Sequence, residues 1–150
     1  MANSFIKVYI HYVFSTKNGE PFINADLEKK LWAYMASIAT ANNIRPIIIN
    51  GMEDHVHVLV SLPSTITIAS AIQKIKGGSS HWVSKNSPEL IDFEWQVGYG
   101  AFSVSHYDLD KTINYIKGQK EHHMESSFKD EYVHLLKENN IEYDEKYLWG

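Results

Sequence analysis

Two histidines separated by one residue are the first feature of this sequence that could do chemistry. His55 and His57 flank Val56 in residues 55–62, whose alternation is typical of a β-strand. Side chains two residues apart on a strand share a face, so both imidazoles could bind one metal ion. The spacing also fits two half-buried histidines bonded to backbone. Two imidazoles on an otherwise apolar strand are costly without a partner, however, which favours the metal site.

A tyrosine and a glutamine form the second candidate pair. Tyr115 and Gln119 lie on a helix predicted to begin near Asp108 and to run past Gln119. Their spacing places them one turn apart on the same face. Apolar residues on a neighbouring stripe would pack inward, so the pair is expected to look outward. The alternative is a tyrosine at the edge of the core beside a solvated glutamine.

Together the two pairs describe a phosphoryl-transfer chemistry. A phenol with a pKa of about 10 is a poor nucleophile at neutral pH, so it needs an already polarised phosphate. A divalent cation, Mg²⁺ or Mn²⁺, held by imidazole nitrogens and an amide oxygen would supply that polarisation. The predicted nucleophile is Tyr115 and the predicted metal ligands are His55, His57 and Gln119. The product would be a phosphotyrosine, and no carboxylate pair is needed because no water is activated.

The elements that must position these residues follow from periodicity. Strands are predicted over 5–16, 44–50, 55–62 and 95–104, and helices over 26–42, 67–84, 108 to beyond 119, and 126–138. The order βαββαβ predicts an α+β, ferredoxin-like (RRM-like) antiparallel sheet with helices on one face, and additional C-terminal helices carry the tyrosine. Gly77 and Gly78 are expected to weaken or bend the second helix. Residues 1–150 form one predicted domain.

Strand parity predicts which face carries the chemistry. Val56, Val58 and Val60 point one way and should meet the two helices. His55 and His57 point the other way and are expected on the open face of the sheet, where a ligand can reach them.

Several polar residues are candidates for contact with a nucleic-acid strand. They are Lys7, His11, Lys17, Lys74, Lys76, Ser79 and Ser80. Lys7 and His11 share a face of the first strand, and the segment 74–80 offers ammonium groups, hydroxyls and N–H donors for phosphates. A solvated, kinked helix face would explain the segment equally well.

Two further pairs adjoin the site residues. His122 and His123 point about 100° apart on a helix, so they are not expected to share an ion and are interpreted as surface or DNA-contacting residues. Glu53 and Asp54 precede the metal strand and could supply a carboxylate that orients a ligand.

Composition bounds the class of protein. The chain has 150 residues, a formal net charge of −4 and no cysteine, which excludes disulfides and thiolate metal sites. The acidic balance argues against a protein that coats nucleic acid non-specifically, but not against an enzyme with local positive charge. No apolar run reaches the roughly 20 residues of a membrane span, and the N-terminus lacks the pattern of a signal peptide. A cytoplasmic location with no membrane partner is expected.

The ordered set of motifs resembles the single-tyrosine HUH transposases of small bacterial insertion sequences, named for His-hydrophobic-His, here His55-Val56-His57. The resemblance covers nearly the whole chain, through residues 15–18, 54–57, 75–80, 95–105, 115–123 and 141–149. Two positions depart from it. Gly19 stands where many relatives carry arginine, which could weaken DNA contact, and Gly118 replaces a larger polar residue, which could loosen the tyrosine helix.

The resemblance implies a DNA transposase. In that family the two histidines and the glutamine bind the metal, and the tyrosine attacks single-stranded DNA near hairpins, leaving a 5′-phosphotyrosine and a free 3′-hydroxyl. It also implies a homodimer in which the tyrosine helix can complete the partner's site. Two alternatives stay open: a domesticated endonuclease that processes palindromes, and a non-catalytic nucleic-acid-binding module.

Overall fold

The described chain follows the predicted order of elements. The computed structural model describes residues 4–124 and 126–149. Its strands are β1 (Tyr9–Ser15), β2 (Arg45–Gly51), β3 (His55–Ser61) and β4 (Gly100–Val104). Its helices are α1 (Ala25–Ala41), α2 (Ile68–Asn86), α3 (Leu109–Lys117), α4 (Gln119–His122) and α5 (Phe128–Glu138).

The four strands form one antiparallel sheet in the order β2-β3-β1-β4, which confirms the ferredoxin-like prediction. The strand that carries both histidines is therefore a central one. Val13 of β1 lies opposite His57, and Ser15 lies opposite His55. Strands bonded on both sides are the most rigid part of a sheet, so the histidine backbones are firmly held.

Helices α1 and α2 cover the face predicted for them. Val56, Val58 and Val60 are fully buried in the main core with residues of both helices, including Leu31 and Ile75. This confirms the parity of β3. Asn24 caps α1 by accepting a hydrogen bond from the backbone N–H of Leu27 at 2.8 Å.

The opposite face of the sheet is covered as well, so the prediction of an open face is wrong. Phe128, Tyr132 and Leu135 recur at helical spacing and pack α5 against Val13 and Phe102 of the sheet. The apolar stripe of α5 can be buried only against another element, and it packs on this face of the sheet. The two histidines consequently lie under a helix and not in solvent.

The first and last strands are shorter than predicted. β1 begins at Tyr9, which leaves Lys7 outside it, and β4 begins only at Gly100. Upstream of β4, Trp95 forms an isolated antiparallel bridge with Thr16. Within the described ranges, no helix is both long and apolar enough to cross a membrane.

Gly77 and Gly78 lie inside α2, whereas Gly118 lies at the end of α3. α2 continues through Gly77 and Gly78 without a break. A Cβ at Gly78 would lie 2.8 Å from Cδ1 of Ile38, which shows how closely α1 and α2 approach. Gly118, by contrast, ends α3 and separates it from α4, so the predicted single helix is two.

Candidate active site

Strand β3 brings the two histidines to the face that α4 and α5 cover. His55 and His57 are completely buried, and their ring centroids are 5.3 Å apart. Oε1 of Gln119, at the start of α4, lies 2.9 Å from Nε2 of His55. The predicted metal ligands therefore gather in one place.

Each of the two imidazoles is oriented through its Nδ1 atom. A carboxylate oxygen of Asp54 lies 2.7 Å from Nδ1 of His55, so this nitrogen donates, and in the neutral ring Nε2 carries a lone pair. Nδ1 of His57 lies 2.8 Å from Nε2 of His11. The predicted orienting carboxylate is thus Asp54. The side chain of Glu53 is exposed, and the backbone carbonyl of Glu53 accepts a hydrogen bond from the backbone N–H of Ile23.

Removing this orienting carboxylate is expected to weaken metal binding. Asp54→Ala should lower the affinity for Mn²⁺ by about 10- to 100-fold, because His55 loses the partner that fixes its ring and tautomer. Isothermal titration with MnCl₂ measures the effect. Glu53→Ala, one residue earlier in the same connection, is the matched control and should bind like the unmodified chain. Equal affinities for the two variants would show that Asp54 does not orient a ligand.

His11, one of the predicted DNA contacts, lies against His57 in the cluster. It is buried on β1, and its ring stacks on that of His57 with centroids 5.0 Å apart. Burial, followed by the neighbouring His57, lowers the pKa of His11 to about 3. A neutral imidazole in this position orients His57 and offers no positive charge to a phosphate.

Glu131 is a buried carboxylate of the cluster that the sequence pattern did not reveal. Its Oε1 lies 3.3 Å from Nε2 of His55 and 3.2 Å from Nε2 of His57. Its Oε2 accepts a hydrogen bond from Nε2 of Gln119 at 2.9 Å and another from the hydroxyl of Tyr115. One signal could have found it: Glu131 falls three residues after Phe128, within the apolar stripe of α5, where a carboxylate needs a partner.

His123 also belongs to the cluster, contrary to its interpretation as a surface residue. Its side chain is 6% exposed, and its Nε2 lies 2.8 Å from Oε1 of Glu131. Nε2 also lies 3.1 Å from Oε1 of Gln119. The two histidines point apart, as expected, and α4 ends at His122, so His123 lies in the turn that follows. The side chain of His122 is 39% exposed, as a surface residue should be.

Tyr115 reaches the same cluster from α3. Its ring centroid is 5.7 Å from that of His57, and its hydroxyl donates to Glu131. It shares a face with Gln119, as predicted, but that face turns towards the sheet and not towards solvent. Burial, and then the charge of Glu131, raise the pKa of Tyr115, so the phenol stays protonated at neutral pH. The site it enters is that of its own chain.

The electrostatics of the cluster favour a cation. Burial lowers the pKa of His55, but hydrogen bonds to Asp54 and Glu131 outweigh it and raise the pKa to about 9. Burial raises the pKa of Glu131, but hydrogen bonds from His55 and His57 hold it well below its usual range. A proton or a metal ion is therefore attracted to the point where these groups meet.

A cavity of about 460 Å³ lies beside the phenol. It is bounded by β4, α3 and α5, and both Tyr115 and His11 line it. Lys111 contributes a cationic side chain to its wall, and Asp108 and Glu138 contribute acidic ones. A nucleic-acid strand that entered this cavity would reach the hydroxyl of Tyr115.

Two of the predicted DNA contacts have structural roles instead. The ammonium of Lys76 donates to the backbone carbonyls of Gln96 at 2.7 Å and Gly98 at 2.8 Å, and burial lowers its pKa to about 8. Ser79 is fully buried and accepts a hydrogen bond from the indole of Trp95 at 3.0 Å. These donors and acceptors hold the segment before β4 against α2, so they are not available to a phosphate.

The remaining predicted DNA contacts lie outside the cluster and stay predictions. Lys7 and Lys74 are exposed, and Lys17 pairs with Glu94 at 2.9 Å. Ser80 is half-buried and donates to the carbonyl of Gly77. The backbone explains why glycine and not arginine stands at position 19, because a φ of +67° favours glycine.

Comparison with known proteins identifies the family of this chain. The family described as Transposase IS200 like matches residues 4–119. No curated protein matches the chain. A crystal structure from Deinococcus radiodurans R1, of a protein assigned as a transposase, is 22% identical with a TM-score of 0.67, covering 79% of this chain and 95% of that one. A REP-associated tyrosine transposase bound to a REP hairpin is 15% identical with a TM-score of 0.61, covering 82% and 73%. Since the family match spans most of the sequence, including the histidine pair, Tyr115 and Gln119, this chain belongs to the IS200-like transposases.

Proposed function

We propose that this transposase cleaves and rejoins single-stranded DNA by metal-assisted transesterification through Tyr115. The observation that carries the proposal is the contact between the phenol of Tyr115 and Glu131, at the centre of the buried histidine cluster. A module that only bound nucleic acid would gain nothing from a tyrosine held beside these groups.

The residues present suit a divalent metal. His55 and His57 present Nε2 atoms, and Gln119 presents an amide oxygen, towards the same buried point. Amide oxygens suit Mg²⁺ and Mn²⁺, whereas imidazoles suit transition metals, so Mn²⁺ fits both kinds of donor. When bound, the ion supplies positive charge that polarises the scissile phosphate and stabilises the charge developing on it.

The chemical step follows from the position of the phenol. The hydroxyl oxygen of Tyr115 forms a bond to the phosphorus, and the bond from phosphorus to the 3′-oxygen breaks. The phenol gives up one proton and the leaving 3′-oxygen takes up one, so the step is balanced. The products are a 5′-phosphotyrosine and a 3′-hydroxyl. Attack of a 3′-hydroxyl on the phosphotyrosine reverses the step and joins strands.

The cavity beside Tyr115 is the proposed path of the scissile strand. It reaches the phenol from outside, whereas His55 and His57 are closed off by α5. Lys111 on its wall can contact a phosphate of the entering strand. The homodimer in which the tyrosine helix completes the partner's site stays a prediction, and the covalent intermediate forms on Tyr115 in either arrangement.

The proposed substrate is single-stranded DNA marked by a hairpin. One structural neighbour is a tyrosine transposase bound to a REP hairpin, which supports this choice. A second candidate is an endonuclease that processes palindromes without moving its own gene. That enzyme would use the same residues, and only the DNA flanking the gene separates the two.

The test is a search for the covalent intermediate. The protein is incubated with Mn²⁺ and an end-labelled single-stranded hairpin oligonucleotide, and a labelled adduct is expected on a denaturing gel. Mass spectrometry should place the nucleotide on the peptide that contains Tyr115, and EDTA should abolish the adduct. A scrambled oligonucleotide of equal length is the control for hairpin recognition. An adduct on another residue, or one that persists in EDTA, would overturn the mechanism.

A further inference from the structure

Three imidazole nitrogens and two side-chain oxygens converge on one buried point between β3, α4 and α5. They are Nε2 of His55, His57 and His123, and Oε1 of Gln119 and Glu131. Neighbouring atoms of this set are 2.8 to 3.3 Å apart. Two ligands bound to one ion at about 2.1 Å are roughly 3.0 Å apart at right angles and roughly 3.4 Å apart in a tetrahedron. The atoms therefore have the spacing of ligands around a common ion.

The hydrogen-bond partners of the rings leave lone pairs at this point. Nδ1 of His55 faces the carboxylate of Asp54, and Nδ1 of His123 faces the carbonyl of Ser126, each at 2.7 Å. Both partners only accept, so Nδ1 carries the hydrogen in each neutral ring and Nε2 carries a lone pair. These lone pairs face the oxygens of Gln119 and Glu131. A metal ion between the neutral rings and these oxygens would bind the lone pairs of both.

The orientation of the two oxygen donors is fixed in the same way. Nε2 of Gln119 donates to Oε2 of Glu131 at 2.9 Å, which turns the amide oxygen towards His55 and His123. Glu131 thereby uses Oε2 for Gln119 and the hydroxyl of Tyr115, and Oε1 for the three imidazoles. One carboxylate links the nucleophile to the predicted metal position.

We propose that Glu131 and His123 are ligands of the metal, in addition to His55, His57 and Gln119. This inference rests on the proposed function, because it concerns the same ion. These five residues would hold the ion and leave room on it for one oxygen of the scissile phosphate. Three imidazoles favour Mn²⁺ over Mg²⁺, which prefers oxygen ligands and retains its water.

Metal binding can be measured without DNA. Isothermal titration of the full chain with MnCl₂ should give an affinity at least about 10-fold weaker for Glu131→Gln and for His123→Asn. Pulsed electron paramagnetic resonance of bound Mn²⁺ should detect three coupled imidazole nitrogens in the unmodified chain and two in His123→Asn. Thermal unfolding without metal shows whether each variant is folded. If Glu131→Gln is unfolded, the result for His123→Asn decides the test.

Matched controls lie on the same helix. His134 and Glu138 of α5 form an exposed pair 3.3 Å apart, and His134→Asn and Glu138→Gln should bind Mn²⁺ like the unmodified chain. If Mn²⁺ binding depends on His55 and His57 but not on Glu131 and His123, this inference is wrong and the proposed function stands. If Glu131→Gln cleaves faster with unchanged affinity, Glu131 blocks the site and is not a ligand. If the unmodified chain binds no Mn²⁺, both proposals fail.

Discussion

Replacing Tyr115 by phenylalanine is expected to lower the rate of strand cleavage by at least about 10⁴-fold. The phenylalanine ring keeps the packing of Tyr115 against His57 and loses only the oxygen that attacks phosphorus. Glu131 still accepts a hydrogen bond from Gln119 at 2.9 Å, so its buried carboxylate is not left alone. The cost in stability is about 1.5 to 3 kcal/mol, the value of a hydrogen bond to a charged group.

Single-turnover cleavage of a labelled hairpin oligonucleotide measures this effect. Titration of the same variant with MnCl₂ should show metal binding within about 3-fold of the unmodified chain, because Tyr115 is not among the proposed ligands. Tyr107→Phe is the matched control, since Tyr107 is exposed just before α3 and should be dispensable for cleavage. Cleavage by Tyr115→Phe at a tenth of the normal rate or more would remove Tyr115 from the role of nucleophile.

Replacing Gly51 by alanine is expected to give the largest loss of stability among small substitutions near the site. Gly51 is the last residue of β2, and a Cβ there would press on the backbone oxygen of His55 and lie 2.8 Å from Cα of Val56. Backbone atoms of a central strand cannot move aside as a side chain can. We expect a loss of about 3 kcal/mol in the free energy of unfolding, or about 6 to 12 °C in melting temperature.

Differential scanning calorimetry of the metal-free protein checks this value, and Gly77→Ala is the control. Gly77 lies inside α2 with open space around its missing Cβ, so alanine there should raise stability by about 0.5 to 1 kcal/mol. Gly51→Ala should also weaken Mn²⁺ binding, because the displaced oxygen belongs to the backbone of His55. A melting temperature equal to that of the unmodified chain would show that the β2–β3 connection accommodates a side chain.

The sequence predicted the parts of the site that local periodicity controls. Alternation in β3 gave the shared face of His55 and His57, and helical spacing gave the shared face of Tyr115 and Gln119. Periodicity could not determine whether the face shared by Tyr115 and Gln119 points to the sheet or to solvent. That depended on Gly118, which divides α3 from α4, and on the sheet surface that both helices meet.

The C-terminal helix illustrates what periodicity leaves undetermined. The spacing of Phe128, Tyr132 and Leu135 predicts that α5 buries one face. It does not determine which element that face packs against. The structure places it on the histidine face of the sheet, which brings Glu131 to His57 across 74 residues of sequence. Lys76 is a comparable case, since a lysine at a helix surface looks available until backbone carbonyls occupy its donors.

The sequence by itself determined the order of elements and the parity of β3, and it predicted Tyr115 as the nucleophile and His55, His57 and Gln119 as metal ligands. Only the tertiary structure decided that the site is buried, that Asp54 and His11 orient its imidazoles, and that Glu131 and His123 face the same point. The physical reason is that periodicity records which side of its own element a residue occupies. The partner on that side is set by long-range packing, which minimises exposed apolar surface over the whole chain.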